Sequence, residues 1–169
     1  GLAPRPWRHL PIHEAFATLC RHQMEAGWQP VLIPMQETQD RPLCEAIAAM
    51  AQTQEGMRPL VIPPPEHPAQ LLGLMSRLQA MVSMRLHGAI FAAAQGVPLL
   101  CLAYDPKVNA LTEQIGVPMI ALAGDWQAAV CQPWEILRAQ LRTPDAKRVD
   151  ALRQKSAALL EAVRQWVAL

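Results

Sequence analysis

Short apolar runs alternate with helix-length amphipathic stretches along the whole chain, and that alternation leaves few folds open. Runs at residues 29–35, 59–62, 80–84, 98–103 and 117–123 are bounded by proline, glycine or polar residues, and residues 1–3 open the chain in the same way. Each is too short for a stable helix and rich in Val, Leu, Ile and Met, as a strand buried on both faces must be. Between them lie stretches whose apolar residues recur at helical spacing. About six β-α units of this kind predict a Rossmann-like α/β fold, a parallel sheet with helices on both faces.

The helices are marked by their ends. Residues 12–26 carry Ile12, Ala15, Phe16, Leu19, Cys20 and Met24 on one face and stop at Gly27. Residues 36–41 read as polar loop, with Pro42 in the first turn of a helix through Met50. Pro68 opens a helix with Leu71, Leu72, Met75 and Leu78 on one side. Asp105-Pro106 is a side-chain cap followed by proline at the first helical position, and Gly116 ends that helix after Val108, Leu111 and Ile115. Asp125 can cap a helix interrupted near Pro133. Thr143-Pro144 starts a terminal helix whose inner side carries Val149, Leu152, Leu159, Leu160 and Val163, closed by Trp166 and Val167.

The chain has 169 residues, half of them apolar, with a net charge of +1. That fits one domain, residues 1–169, with a real core, and gives no electrostatic reason to expect nucleic acid. Cys20, Cys44, Cys101 and Cys131 are scattered and form no Cys-x-x-Cys pair, so they read as buried reduced thiols of a cytoplasmic protein. No apolar run reaches the ~18 residues needed to span a bilayer. The first residues read as a strand with no initiator methionine, as if cut from a longer protein.

In a sheet of this kind ligands bind outside the carboxyl ends of the strands. Two strand ends there carry chemistry. After Met84 come Arg85 and His87, at the mouth of an alanine-rich helix, where free backbone amides and the positive end of the dipole favour an anion. Arginine adds a fork for phosphate or carboxylate, and a histidine there suits a general base or a hydrogen-bonding neutral imidazole; equally, Arg85 can make a surface ion pair and His87 be a satisfied buried polar group. After Ala103 come Tyr104, Asp105 and Lys107. Asp105 is accounted for as a helix cap, but a lysine in a first helical turn opposes the dipole, which an anionic ligand would explain; a merely solvated lysine is the equal alternative.

Other strand ends offer weaker candidates, Arg5, Trp7 and Arg8, then Gln36, Glu37 and Asp40, then Glu66 and His67, in loops that are more often merely polar than functional. His9, His13 and His22 lack metal-ligand spacing, so no metal site is expected. A Gly-x-Gly-x-x-Gly turn, a phosphate-loop lysine and a Gly-x-Ser-x-Gly elbow are all missing.

The elements Met84-Arg85-Leu86-His87, Gly96-Val97-Pro98 and Tyr104-Asp105-Pro106-Lys107-Val108 occur together at a spacing that resembles the polysaccharide pyruvyl transferases. The likeness extends less sharply from Arg5-Pro6-Trp7 to Ile115-Gly116-Val117-Pro118. It implies the C-terminal half of a two-domain enzyme similar in fold to B-type glycosyltransferases, with the active site between the halves. It further implies transfer of pyruvate from phosphoenolpyruvate to two hydroxyls of a sugar on a lipid-linked cell-wall precursor, at the cytoplasmic face of the membrane and without a cofactor. His87 matches the catalytic histidine of such enzymes and Lys107 a lysine of the donor site, with Arg85, Tyr104 and Asp105 beside them as substrate-binding residues. A donor arginine expected from the N-terminal half has no counterpart here. Half of a nucleotide-sugar glycosyltransferase or epimerase, and a non-catalytic binding domain of the same fold, are the alternatives.

Overall fold

A computed structural model describes residues 1–167; Ala168, Leu169 and the side chains of Ala162, Val163, Trp166 and Val167 lie outside the described residues. Six strands, β1 (Leu2–Ala3), β2 (Val31–Leu32), β3 (Leu60–Val61), β4 (Met81–Ser83), β5 (Leu99–Ala103) and β6 (Met119–Ala121), form one sheet in the order β3-β2-β1-β4-β5-β6. All five pairings are parallel. This is the doubly wound Rossmann arrangement, and its strand order reverses between β1 and β4. The expected fold class is the observed one.

Strand β5 shows why these apolar runs are strands. Leu100 and Leu102 enter the core on one face, and Leu99, Cys101 and Ala103 enter the core on the other. All five are buried, so the period-2 alternation serves two cores and the run reads as continuously apolar. Full burial of each leucine stabilises the fold by roughly 1.5–3 kcal/mol. One core packs the sheet against α1 (Ile12–Glu25), α2 (Glu37–Ala51), α6 (Trp126–Val130) and α7 (Trp134–Arg138). The other packs it against α3 (Pro68–Met75), α4 (Leu86–Ala94), α5 (Pro106–Ile115) and α8 (Ala146–Val167).

Several boundaries differ from the expectation. Helix α2 begins at Glu37, so residues 37–41 are its first turn and Pro42 lies inside it. Pro42 is exposed, so water can satisfy the Thr38 carbonyl that its missing N–H would have bonded. The strands are shorter than their apolar runs because the sheet ladder ends where the loops diverge. Asp125 makes no side-chain cap and the region after it is two short helices. Helix α8 starts at Ala146, because Asp145 accepts from the Arg148 N–H at 3.1 Å and takes the capping position. Leu159 and Leu160, expected on its inner side, are instead 67% and 60% exposed. Val163, Trp166 and Val167, expected on the same side, lie outside the described side chains.

Candidate active site

The carboxyl ends of β1, β2, β4 and β5 share one edge, and two side-chain ties cross it. The first joins the loop after β4 to the start of α2. Asp40 is fully buried, and its Oδ2 accepts from the backbone N–H groups of Met35 (3.1 Å) and Gln36 (2.9 Å). Arg85 Nε donates to the same oxygen at 2.9 Å, while Arg85 Nη2 donates to Asp40 Oδ1. The carboxylate thus folds back on the N-cap residue of its own helix and the residue before it, much as a capping-box glutamate would. It also holds Arg85 in the bidentate geometry that makes such pairs strong and directional. Since β2 and β4 flank β1, this ion pair passes over the end of β1, beside the switch point.

The second tie joins the loop after β1 to the end of β5. Arg5 Nη1 donates to the Tyr104 hydroxyl, and the guanidinium lies 5.0 Å from the Tyr104 ring centre and 5.7 Å from that of Trp7. Trp7 and Tyr104 pack with centroids 4.4 Å apart, tilted by 41°, and Arg8 covers Trp7 at 5.4 Å. These are cation–π and offset aromatic contacts. Arg8 is held at φ 49°, in the left-handed region that non-glycine residues seldom occupy.

His87 follows Arg85 by two residues, and Lys107 follows Tyr104 by three. His87 is the second residue of α4 and Lys107 the second residue of α5, and both are exposed. Their strands are adjacent and their helices pack together, so both side chains emerge at the same edge. The two helix starts differ. Asp105 Oδ1 accepts from the Lys107 N–H at 2.8 Å and caps α5, whereas Arg85, at the N-cap of α4, makes no side-chain cap. The first-turn amides of α4 therefore have neither an intrahelical nor a capping acceptor.

Gly88 sets how close α4 can come to the sheet. A β-carbon there would lie 2.7 Å from Ser83 Oγ and 3.2 Å from the Ala3 β-carbon. Ser83 Oγ in turn donates to the Arg85 carbonyl at 2.8 Å, which fixes the loop that precedes His87.

Sequence reading thus located the edge, but three of its candidates have protein partners. Arg85 is tied to Asp40, Tyr104 to Arg5, and Asp105 to its own helix. Asp40 and Arg5 ranked among several polar loop residues, and only their long-range partners single them out. Gly88 could have been noticed as a glycine inside a helical run. Glu66 and His67 stand apart from this group; His67 Nδ1 accepts from the Ala69 N–H at 3.2 Å and caps α3. Among the described residues no group of three or more His, Cys, Asp or Glu is arranged to hold a metal ion.

Comparison with known families adds one decisive observation: the model of the polysaccharide pyruvyl transferase family matches residues 4–106. The chain belongs to that family. The match takes in both ties and His87, and ends one residue before Lys107. No curated protein and no solved structure matches the chain. No helix among the described residues is long and apolar enough to cross a membrane.

Proposed function

We propose that this pyruvyl transferase domain uses phosphoenolpyruvate as donor and forms a pyruvate ketal on two hydroxyls of a cell-wall polysaccharide precursor. In this reading it is the C-terminal half of a longer two-domain enzyme and supplies one wall of the cleft. The other half brings the remaining donor contacts, and a lipid-linked acceptor is met at the cytoplasmic membrane face. The uncapped start of α4, with His87 on it and Lys107 at the matching position of α5, carries this reading. Free amides and a lysine suit the phosphate and carboxylate of the donor, and no group besides the substrates is needed.

The chemistry follows from those groups. One sugar hydroxyl attacks C2 of phosphoenolpyruvate as the methylene carbon gains a proton. His87 takes the hydroxyl proton and can return one to the methylene side. The second hydroxyl then forms its bond to C2 as the C2–O bond to phosphate breaks. Its proton leaves with the phosphate, so one diol and one phosphoenolpyruvate give one ketal and one phosphate. Lys107 and the α4 amides stabilise charge on the departing phosphate. Arg85 spends Nε and Nη2 on Asp40 and keeps Nη1 for the donor, while Tyr104 and Asp105 shape the neighbouring wall.

The test is phosphate release by the full-length enzyme given phosphoenolpyruvate and lipid-linked sugars. Turnover that is abolished in His87→Ala, with folding intact, supports the proposal. Full turnover in that variant overturns it, as does protection of the enzyme by a UDP-sugar but not by phosphoenolpyruvate.

A further inference from the structure

Arg85 is fixed from both ends. Its carbonyl accepts from Ser83 Oγ at 2.8 Å and from the Ala89 N–H at 3.0 Å. At the other end Nε and Nη2 form the bidentate pair with Asp40, and the side-chain oxygens of Gln36 and Gln39 lie 3.4 and 3.5 Å from Nη2. All of these side-chain acceptors come from the start of α2. They take up Nε and Nη2, while Nη1 makes no hydrogen bond among the described residues. The Arg85 side chain is 12% exposed, so little of it is left to water. Asp40 does more here than finish a helix. The backbone N–H groups of Met35 and Gln36 would be served as well by a neutral acceptor, whereas a carboxylate with no exposed surface needs a charged partner to be stable there.

We propose that Asp40 is a positioning residue for anion binding: it aligns the Arg85 guanidinium so that Nη1 is presented to the phosphate or carboxylate of the donor. A guanidinium is planar, so holding Nε and Nη2 also fixes where Nη1 lies. The long side chain then gives up its rotamer freedom on folding, before any ligand arrives, and binding has less order to impose. By charge alone Asp40 works against an anion, because it neutralises the nearest arginine. Alignment and charge therefore have opposite signs at this site, and an experiment can tell them apart. That Arg85 meets phosphoenolpyruvate rests on the donor reading given above; that Asp40 aligns Arg85 for an anion does not.

The experiment reads the KM for phosphoenolpyruvate in the full-length enzyme and arginine side-chain NMR of the whole chain with inorganic phosphate. Asp40→Asn keeps the shape of the side chain and loses its charge. It should raise KM roughly tenfold, although the site becomes one charge more positive. Arg85→Lys should do the same, and the double variant should be no worse than either. A merely structural role would lower kcat through the folded fraction and leave KM alone. The NMR measurement needs only the parent to fold. The Arg85 Nε–H resonance, identified by its loss in Arg85→Lys, should exchange slowly with water and stay slow as phosphate binds. The proposal falls if Asp40→Asn leaves KM unchanged or lowers it, if the two substitutions add, or if phosphate frees the Nε–H from Asp40. A full-length enzyme that does not turn over phosphoenolpyruvate overturns the donor reading instead. Phosphate binding then decides Asp40 by itself: weaker binding in Asp40→Asn than in the parent upholds the alignment, and equal or tighter binding, or none in the parent, overturns it.

Discussion

Arg85 holds the fully buried Asp40 carboxylate through two of its nitrogens, and so joins the start of α2 to the start of α4 across the end of β1. The pair links two loops that diverge from the sheet on either side of β1, and His87 stands two residues beyond it. Its worth is in position more than in net energy, since both charges lost water to form it.

Removing one partner should therefore be costly. Arg85→Ala leaves a buried carboxylate with only two backbone donors, and Asp40→Ala leaves a guanidinium that is mostly shielded from water. Each should lower unfolding free energy by about 3 kcal/mol. In urea denaturation the double variant should cost less than the sum of the two, with a coupling of about 1–3 kcal/mol. Additive effects would mean that the two side chains do not act as a pair.

His87→Ala should separate activity from stability. The side chain is exposed and caps nothing, so the urea midpoint should shift by no more than about 0.5 kcal/mol equivalent. Turnover in the full-length enzyme should fall at least ~100-fold, the usual size of a general acid–base contribution.

Lys107 is placed against the positive end of the α5 dipole. Lys107→Ala should leave stability unchanged or raise it by about 0.3 kcal/mol, and Lys107→Glu should raise it a little further. Both should raise the KM for phosphoenolpyruvate in the full-length enzyme. A variant with higher stability and an unchanged donor KM would remove the lysine from the donor site.

Gly88→Ala should destabilise although alanine is the better helix former. The added β-carbon meets Ser83 Oγ and Ala3, so either the Ser83 bond to the Arg85 carbonyl breaks or α4 lifts from the sheet. Thermal denaturation should show a loss of about 1–3 kcal/mol, as overpacking typically costs. An unchanged melting temperature would show that α4 has room to move.

Stability should fall above pH 9. Burial pushes the thiols of Cys20, Cys44 and Cys101 up to about 12, while in the unfolded chain they titrate near 9. Between those values the unfolded chain has released protons that the folded chain keeps, so rising pH drains stability. Melting temperatures at pH 7.5, 9 and 10.5 should decline, and Cys101→Ala should reduce the decline. The same burial should make these three thiols slow toward thiol reagents at pH 8, with half-buried Cys131 the fastest.

Much was legible from local pattern alone. The strands of the sheet, the cap and proline that open α5, the glycine that ends it, and the placing of His87 and Lys107 at strand ends all depend on residues a few positions apart. Period-2 and helical spacing report such neighbours directly. Family membership was legible for the same reason, in three short motifs. Tertiary structure decided the rest. Asp40 lies 45 residues from Arg85 and Arg5 lies 99 residues from Tyr104, and no local spacing says which loops meet. Strand order brings them together, by setting β1 between β2 and β4 and β4 between β1 and β5. That order gives Arg85 and Tyr104 protein partners in Asp40 and Arg5. It also leaves His87 and Lys107 exposed at the ligand edge.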